Sequence, residues 1–438
     1  MGTKRLSSWK KAMYGAGDIV GTLIFTVIPL FLSYYFTDIL GMTPILAGLV
    51  ILLGNAWDAV SDPMAGRLSD RTKSRFGRRR PYFLYLTVPL GVAFVLLFSV
   101  PSNLSMFWTF IYCTFAFMLV ILTTTFYQVP YLTYGMEIEK GYDGRTSLTA
   151  WRMLFSVLFG LVGAVVPKMI WESAVLPSVG FRNMALVFAL PIMIAPLFPF
   201  FAGNEPPAPV YVKQRYRDNM RDALKSDAFI RAVLIYVLSW GAINIVITLM
   251  IYYFKHVLNM SAQFEIIIGV LFGVTILALP IWVKISEKLD KRKAYMIGVT
   301  IFSFFLLPLL LPSDTVKTLV WWIIPPLGIG LSAIHVMPNT LLPEAIETVT
   351  KGNSSEGVYY GILTFFFKTV NAVFQFVILG ILGWTGYIES TQDIAVSQPA
   401  SALLAIRVLV SLVPVFLMIG GLIISIRFPI GRDQAQHE

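Results

Sequence analysis

The chain is short of cysteine, of charge and of recognisable catalytic signatures. One cysteine, Cys113, stands among 438 residues, so an intrachain disulfide and a cysteine-based metal cluster are both excluded. Charged residues make up 13% of the chain, against roughly 25% in a soluble globular domain. No P-loop, H-E-x-x-H, G-x-S-x-G or cysteine nucleophile occurs, and no soluble region is large enough to carry chemistry. An enzyme is therefore not expected, and neither is a cofactor. The basic start, MGTKRLSSWKK, is followed by no small-residue cleavage site, so the first apolar run is expected to remain as a helix.

What the chain has in excess is apolar sequence. Hydrophobic residues account for 57% of it, in runs near the ~20 residues that span a bilayer as a helix. Twelve such segments are predicted, roughly over 14–37, 43–66, 81–100, 105–130, 148–170 and 181–202, then 229–254, 262–284, 294–312, 317–341, 356–384 and 403–427. The polar stretch between the sets contains NEPPAP and VKQRYRDNMRDALKSD. Its prolines interrupt helix, and its charged part suits a short helix on the membrane surface. The domain reading is thus a six-helix bundle over 1–202, a cytoplasmic linker over 203–228 and a second six-helix bundle over 229–438. The loops GRLSDRTKSRFGRRR and EKLDKRK fall at the same place in each half, which suggests a two-fold repeat of the kind that builds large transporters.

Orientation follows from the basic residues. With both termini in the cytoplasm, 27 of the 34 Lys and Arg lie inside, and only Lys168, Arg182, Lys255 and Lys317 lie in outer loops. That asymmetry is the positive-inside pattern. It also accounts for the formal net charge of +10 through contact with anionic lipid, so nucleic-acid binding is not expected. The bacterial inner (cytoplasmic) membrane is the expected location, with a monomer as the default state. Three basic residues remain inside segments: Arg152, Lys368 and Arg407. Arg407 is read as a side chain snorkelling to the interface.

The stretch GNAWDAVSDPMAGRLSDRTKSRFGRRRP carries the most chemistry. Asp58 and Asp62 are four residues apart on one helix, so their carboxylates share a face. Ionisable groups at membrane depth are costly and usually face a bundle interior or a wet cavity. Two adjacent carboxylates repel unless a cation or proton lies between them. One reading is a cation site with Ser61 and Asn55 as neutral helpers; the other is a salt bridge to Arg152 or Lys368. Tyr127, Trp240, Asn244, Asn371 and Gln375 are candidate cavity residues, each equally readable as packing or helix–helix hydrogen bonding. His335 reads as a packed polar residue rather than a proton relay.

With these residues on the page, the chain resembles the glycoside–pentoside–hexuronide:cation symporters, the melibiose permease-like family of the major facilitator superfamily. The likeness rests on YGAGDIVGT and YYFTD, on WDAVSDPMAGRLSDRTKSRFGRRRP, on YQVPYLTYGMEI and RTSLTAWRMLF, and on SEGVYYGILTFFFKTVNAVF. Gly66, Asp70, Arg71, Gly77, Arg78 and Arg79 follow the superfamily loop pattern, with a longer span between Arg71 and Gly77. That loop is expected to pair its acid with a neighbouring base and bias one conformation. The resemblance implies an all-α fold of twelve transmembrane helices in two bundles, working by alternating access. It implies coupling to sodium held by Asp58, Asp62 and Thr125, with a proton as the other possible coupling ion. It places Arg152 and Lys368 near the solute. The family's two sugar-contacting acids fall here on Thr22 and Gln128, with Asp18 one turn before Thr22. Without those acids a neutral galactoside is disfavoured. The expected solute is a glycoside or acidic sugar, or alternatively a lysophospholipid-type amphiphile.

Overall fold

The computed structural model describes residues 6–139, 142–203, 205, 223–350, 356–392 and 396–428. Most of the expected linker, including its charged candidate surface helix up to residue 222, lies outside the described residues. The described chain is helical throughout. Its single bridge of β type joins Leu40 to Thr391.

The first half contains α1 (Ser8–Ala16), α2 (Asp18–Val27), α3 (Pro44–Arg71), α4 (Arg80–Tyr85), α5 (Thr87–Leu97), α6 (Met106–Ile138), α7 (Tyr142–Glu172), α8 (Pro177–Ile194) and α9 (Leu197–Ala202). The second contains α10 (Asp227–Tyr252), α11 (Phe264–Leu289), α12 (Lys291–Leu306), α13 (Ser313–Thr350), α14 (Glu356–Trp384) and α15 (Ala400–Ile426). Local sequence explains several ends. Thr43 caps α3 by accepting the Leu46 N–H at 3.5 Å, with Pro44 as first helical residue, where its missing N–H costs nothing. Ser226 caps α10 by accepting the Phe229 N–H at 3.3 Å, satisfying one of the donors a helix start leaves over.

Eleven helices among the described residues are long and apolar enough to cross a membrane. The remaining expected segment, 81–100, is built from α4 and α5, interrupted at Leu86. Pro89 is the physical reason, because it offers no N–H to the carbonyl of Tyr85 one turn earlier. By contrast α13 runs unbroken from Ser313 to Thr350 through Pro325, Pro326 and Pro338. Large apolar side chains stand exposed on the spans, among them Phe115, Leu277, Trp322 and Phe416. A helix surface of that kind is at home in hydrocarbon, with every backbone group satisfied inside the helix.

The chain divides into two compact units. One is 1–210 with 389–396, and the other is 211–388 with 397–438. In the first, α3 packs along α6, α1 and α2 along α7, and α5 along α8. Its end away from the loop after α3 is filled by rings. Trp171 stacks on Phe181 at 4.4 Å, and Tyr35 lies 4.8 Å from Phe181 and 5.2 Å from Phe98. In the second, α13 packs on α10, α11 and α12, and α10 on α15 and α14. Trp282 there donates to the Ile329 carbonyl at 2.8 Å, and Ser239 and Tyr295 share a buried hydrogen bond of 2.8 Å.

The segment 389–396 belongs to the first unit although it connects two helices of the second. Its Ser390 N–H donates to the Thr37 carbonyl at 3.1 Å, its Gln392 N–H to the Ile39 carbonyl at 3.0 Å, and the Ser390 hydroxyl to the Asp38 carbonyl at 3.0 Å. Gln392 Oε1 in turn accepts the Ser178 N–H at 3.0 Å.

Candidate functional site

In the first unit, the helix face that carries the paired acids meets α6. Asp58 is buried, and Thr125 Oγ1 donates to its Oδ1 at 2.7 Å. Thr125 and Asp58 are thereby brought together from two helices. Ser61 is fully buried and gives its hydroxyl hydrogen to the Asp58 carbonyl at 3.2 Å, while the Asn55 amide donates to the Ile51 carbonyl at 2.9 Å. Both neutral helpers thus use their donors on the backbone of α3 and keep oxygen lone pairs for a further partner. Asp62, one turn on, is half-buried. Among the described residues no group of three or more His, Cys, Asp or Glu gathers to hold a metal ion. Two carboxylates and several hydroxyl and amide oxygens lie along this contact, and oxygen groups of that kind suit a hard cation.

A second polar focus lies where α2, α6 and α7 meet. Arg152 gives two hydrogen bonds to Asp18 Oδ1, from Nη2 at 2.9 Å and from Nε at 3.3 Å, and its guanidinium lies 5.5 Å from the centre of the Tyr131 ring. Asp18 is buried, whereas the Arg152 side chain keeps 24% of its surface. Arg152 is therefore paired across the helices, by a group outside the family's two acid positions. Asp18 supplies the counter-charge from one turn earlier. At the family's acid positions, Thr22 donates to Ser156 Oγ at 3.0 Å, and Gln128 presses its amide against Gly21 with its Oε1 buried and without a hydrogen bond.

Tyr127 lies inside the first unit. It is fully buried, donates to the Gly17 carbonyl at 2.9 Å and stacks on Tyr131 at 5.5 Å. It braces the break between α1 and α2, as Tyr131 does by donating to the Tyr14 carbonyl at 2.9 Å. In the second unit, Asn244 donates to Asn371 Oδ1 at 2.9 Å, and Asn371 donates to the Phe367 carbonyl at 2.9 Å. Those two asparagines tie α10 to α14. Gln375 and Lys368 are half-buried on the same helix α14. Trp240 faces His335 at 4.7 Å, and its indole N–H is buried without a partner.

The loop after α3 forms an ion network. Arg79 Nη2 lies 2.9 Å from Asp70 and 3.0 Å from Glu137, and Arg78 Nη2 lies 3.1 Å from Glu137. The Arg78 N–H donates to Glu205 at 2.6 Å and the Arg79 N–H to the same carboxylate at 3.1 Å. Gly77 has φ +107°, and a side chain there would run into Glu205. Glycine is thus required both by the left-handed backbone and by the approaching acid. Arg71 points outward, exposed, and Gly66 has open space above it save for Val129 at 3.9 Å. Sequence reasoning missed Glu137 and Glu205. Both stand inside quoted stretches, YGMEI and NEPPAP, and two adjacent arginines beside a single loop acid were the available signal that more acids were needed.

The profile of the MFS/sugar transport protein family matches residues 13–432. The chain is 25% identical to the uncharacterized symporter sll1374 of Synechocystis sp., covering 99% of this chain and 96% of that one. It is 28% identical to the uncharacterized symporter YnaJ of Bacillus subtilis, covering 96% and 91%. It is 23% identical to the sodium-dependent lysophosphatidylcholine symporter 1-A of Danio rerio, covering 99% and 88%. Among solved structures, the nucleoside transporter NupG shares the fold with a TM-score of 0.67 at 13% identity, over 95% of this chain and 99% of that one. With a fold of apolar spanning helices and a family profile that matches from the first helix to the last, the chain belongs to the MFS/sugar transport protein family.

Proposed function

We propose that the protein is a sodium-coupled symporter of an anionic or zwitterionic solute in the cytoplasmic membrane. The observation that carries the cation site is the 2.7 Å bond from Thr125 to Asp58. It joins α3 to α6 at a buried carboxylate, with Asp62 one turn away on the same helix. Filling that site with a cation offsets the repulsion of the two acids and stiffens the contact between the helices. A solute that favours the same arrangement is then coupled to the ion by linkage alone. A proton at the same acids is the competing coupling ion.

For the solute, the Asp18–Arg152 pair is the guide. It offers both signs of charge with Arg152 partly open, while the neighbouring Thr22 and Gln128 offer only neutral hydrogen-bonding groups. A zwitterionic head group matches a split ion pair, the arginine taking its oxyanion and the aspartate its cation. Full-length likeness to sodium-dependent lysophosphatidylcholine symporters supports the same class. The second reading is an acidic glycoside, favoured by the family's sugar-transport description.

Uptake into proteoliposomes tests the cation assignment. Asp58→Asn and Asp62→Asn are expected to abolish sodium-driven accumulation, by at least tenfold, while the protein still inserts and unfolds cooperatively. Undiminished concentrative uptake by both variants would remove the acids from the cation site.

A further inference from the structure

The second unit contains a polar ring on an otherwise apolar helix. His335 sits within the apolar span Ser313–Leu342. The residue is exposed there. Facing hydrocarbon there is unfavourable for such a group, and a wet cavity is the usual setting. Its imidazole nitrogens make no hydrogen bond among the described residues; only its backbone carbonyl is used, by the Asn339 amide at 2.8 Å.

Two further observations converge on the same ring. Trp240 of α10 lies against it at 4.7 Å, tilted by 58°, and is backed by Tyr236 at 6.1 Å and by Phe367 of α14 at 6.2 Å. Three helices therefore fix the plane and depth of the imidazole. The Trp240 indole N–H is itself buried with no acceptor. A buried donor left unmatched loses its hydration without recompense, and native structures contain few of them. An unbonded imidazole in contact with an unbonded indole marks a polar pair left incomplete by the protein alone.

We propose that His335 is a solute-binding residue of the second unit. Its imidazole hydrogen-bonds an oxygen of the solute's phosphate or carboxylate, and Trp240 is the positioning residue that holds the ring in place. The inference rests on the anionic or zwitterionic solute class proposed above. Lys368, next to Phe367 on α14, adds positive charge to the same unit.

The test uses the purified full-length protein in detergent with sodium, and a fluorescent lysophosphatidylcholine as probe, with an aryl glucuronide in parallel. His335→Phe keeps an aromatic ring against Trp240 and removes the nitrogens. It is expected to weaken binding of the preferred probe at least tenfold, while sodium still stabilises the ligand-free variant as it does the wild type. His335→Gln, which restores a donor and an acceptor, is expected to recover part of the loss. Trp240→Phe is expected to give a smaller loss than His335→Phe. Wild-type affinity in His335→Phe overturns the assignment. So does a loss of sodium stabilisation or of cooperative unfolding in that variant with no recovery in His335→Gln, because the ring is then structural. If the wild type binds neither probe while sodium still stabilises it, the solute class and His335 fall together and the cation site survives.

Discussion

The first helical segment of each unit ends in the same way, in sequence and in backbone. Residues 34–42 read YYFTDILGM and residues 252–260 read YYFKHVLNM. Each passes through a π-helical turn, Tyr35–Ile39 and Tyr253–Val257. In each the N–H three residues beyond the end of the turn closes back on the third aromatic, Met42 to the Phe36 carbonyl at 2.9 Å and Met260 to the Phe254 carbonyl at 2.8 Å. In each the residue before that methionine is left-handed, Gly41 at φ +68° and Asn259 at φ +52°. The side chains at the turn have diverged. Thr37 and Asp38 stand in one copy where Lys255 and His256 stand in the other. Their partners differ as well: carbonyls 37–39 accept from Ser390 and Gln392, whereas His256 Nε2 meets the Tyr387 hydroxyl at 2.9 Å. Repetition has kept the backbone device, a π turn closed by a left-handed residue, and left the charges free to change. Turns of that type often mark functional positions.

Substitutions in the two copies test how far the likeness extends. The largest effect is expected for Gly41→Val. The left-handed position alone costs a branched residue about 1–3 kcal/mol, and its Cβ would lie 2.6 Å from the Thr391 methyl. Asn259→Val carries the backbone cost, so thermal unfolding in detergent should show the smaller drop there. Equal drops would mean that 389–396 adds no constraint to the first copy. Next comes Ser390→Pro, which leaves the Thr37 carbonyl without its donor and should cost about 1–3 kcal/mol while leaving the second copy untouched. The smallest effect is expected for Tyr387→Phe, which removes the hydrogen bond between its hydroxyl and His256 and should cost about 0.5–1.5 kcal/mol. A larger loss for Tyr387→Phe than for Ser390→Pro would reverse the ranking of the two supports.

Most of the fold could be read from the sequence, because spanning helices announce themselves by length and apolarity. The third segment shows where that signal fails. Its composition is apolar throughout, but Pro89 divides it, and a hydropathy window does not register a missing N–H. The face of paired acids was legible because Asp58 and Asp62 share one helix and their spacing alone makes them neighbours. Thr125 came from the family likeness and could not come from spacing, since it lies on α6. The Asp18–Arg152 pair is separated by 134 positions, and no local pattern links the two. The same distance in sequence hid Glu137 and Glu205 from the loop arginines. A lone histidine on an apolar helix reads as packing, and only the exposed, unbonded ring of His335 beside Trp240 points elsewhere. The repeat is legible in the sequence of the two basic loops, where it is weakest. The first has a long ionic network around Gly77, and the second turns on Asp290 alone at φ +91°.

The segment 389–396 has a consequence for how the protein is made. Ser390 bonds to Asp38 across 352 positions of sequence. A ribosome must therefore release nearly the whole chain into the membrane before the first unit acquires its last element. Until then the carbonyls of 37–39 have no donor from Ser390 or Gln392, and the edge beside Leu40 stays open. The bundle that is synthesised first is thus completed last, and chains that terminate early leave the translocon with that edge uncovered.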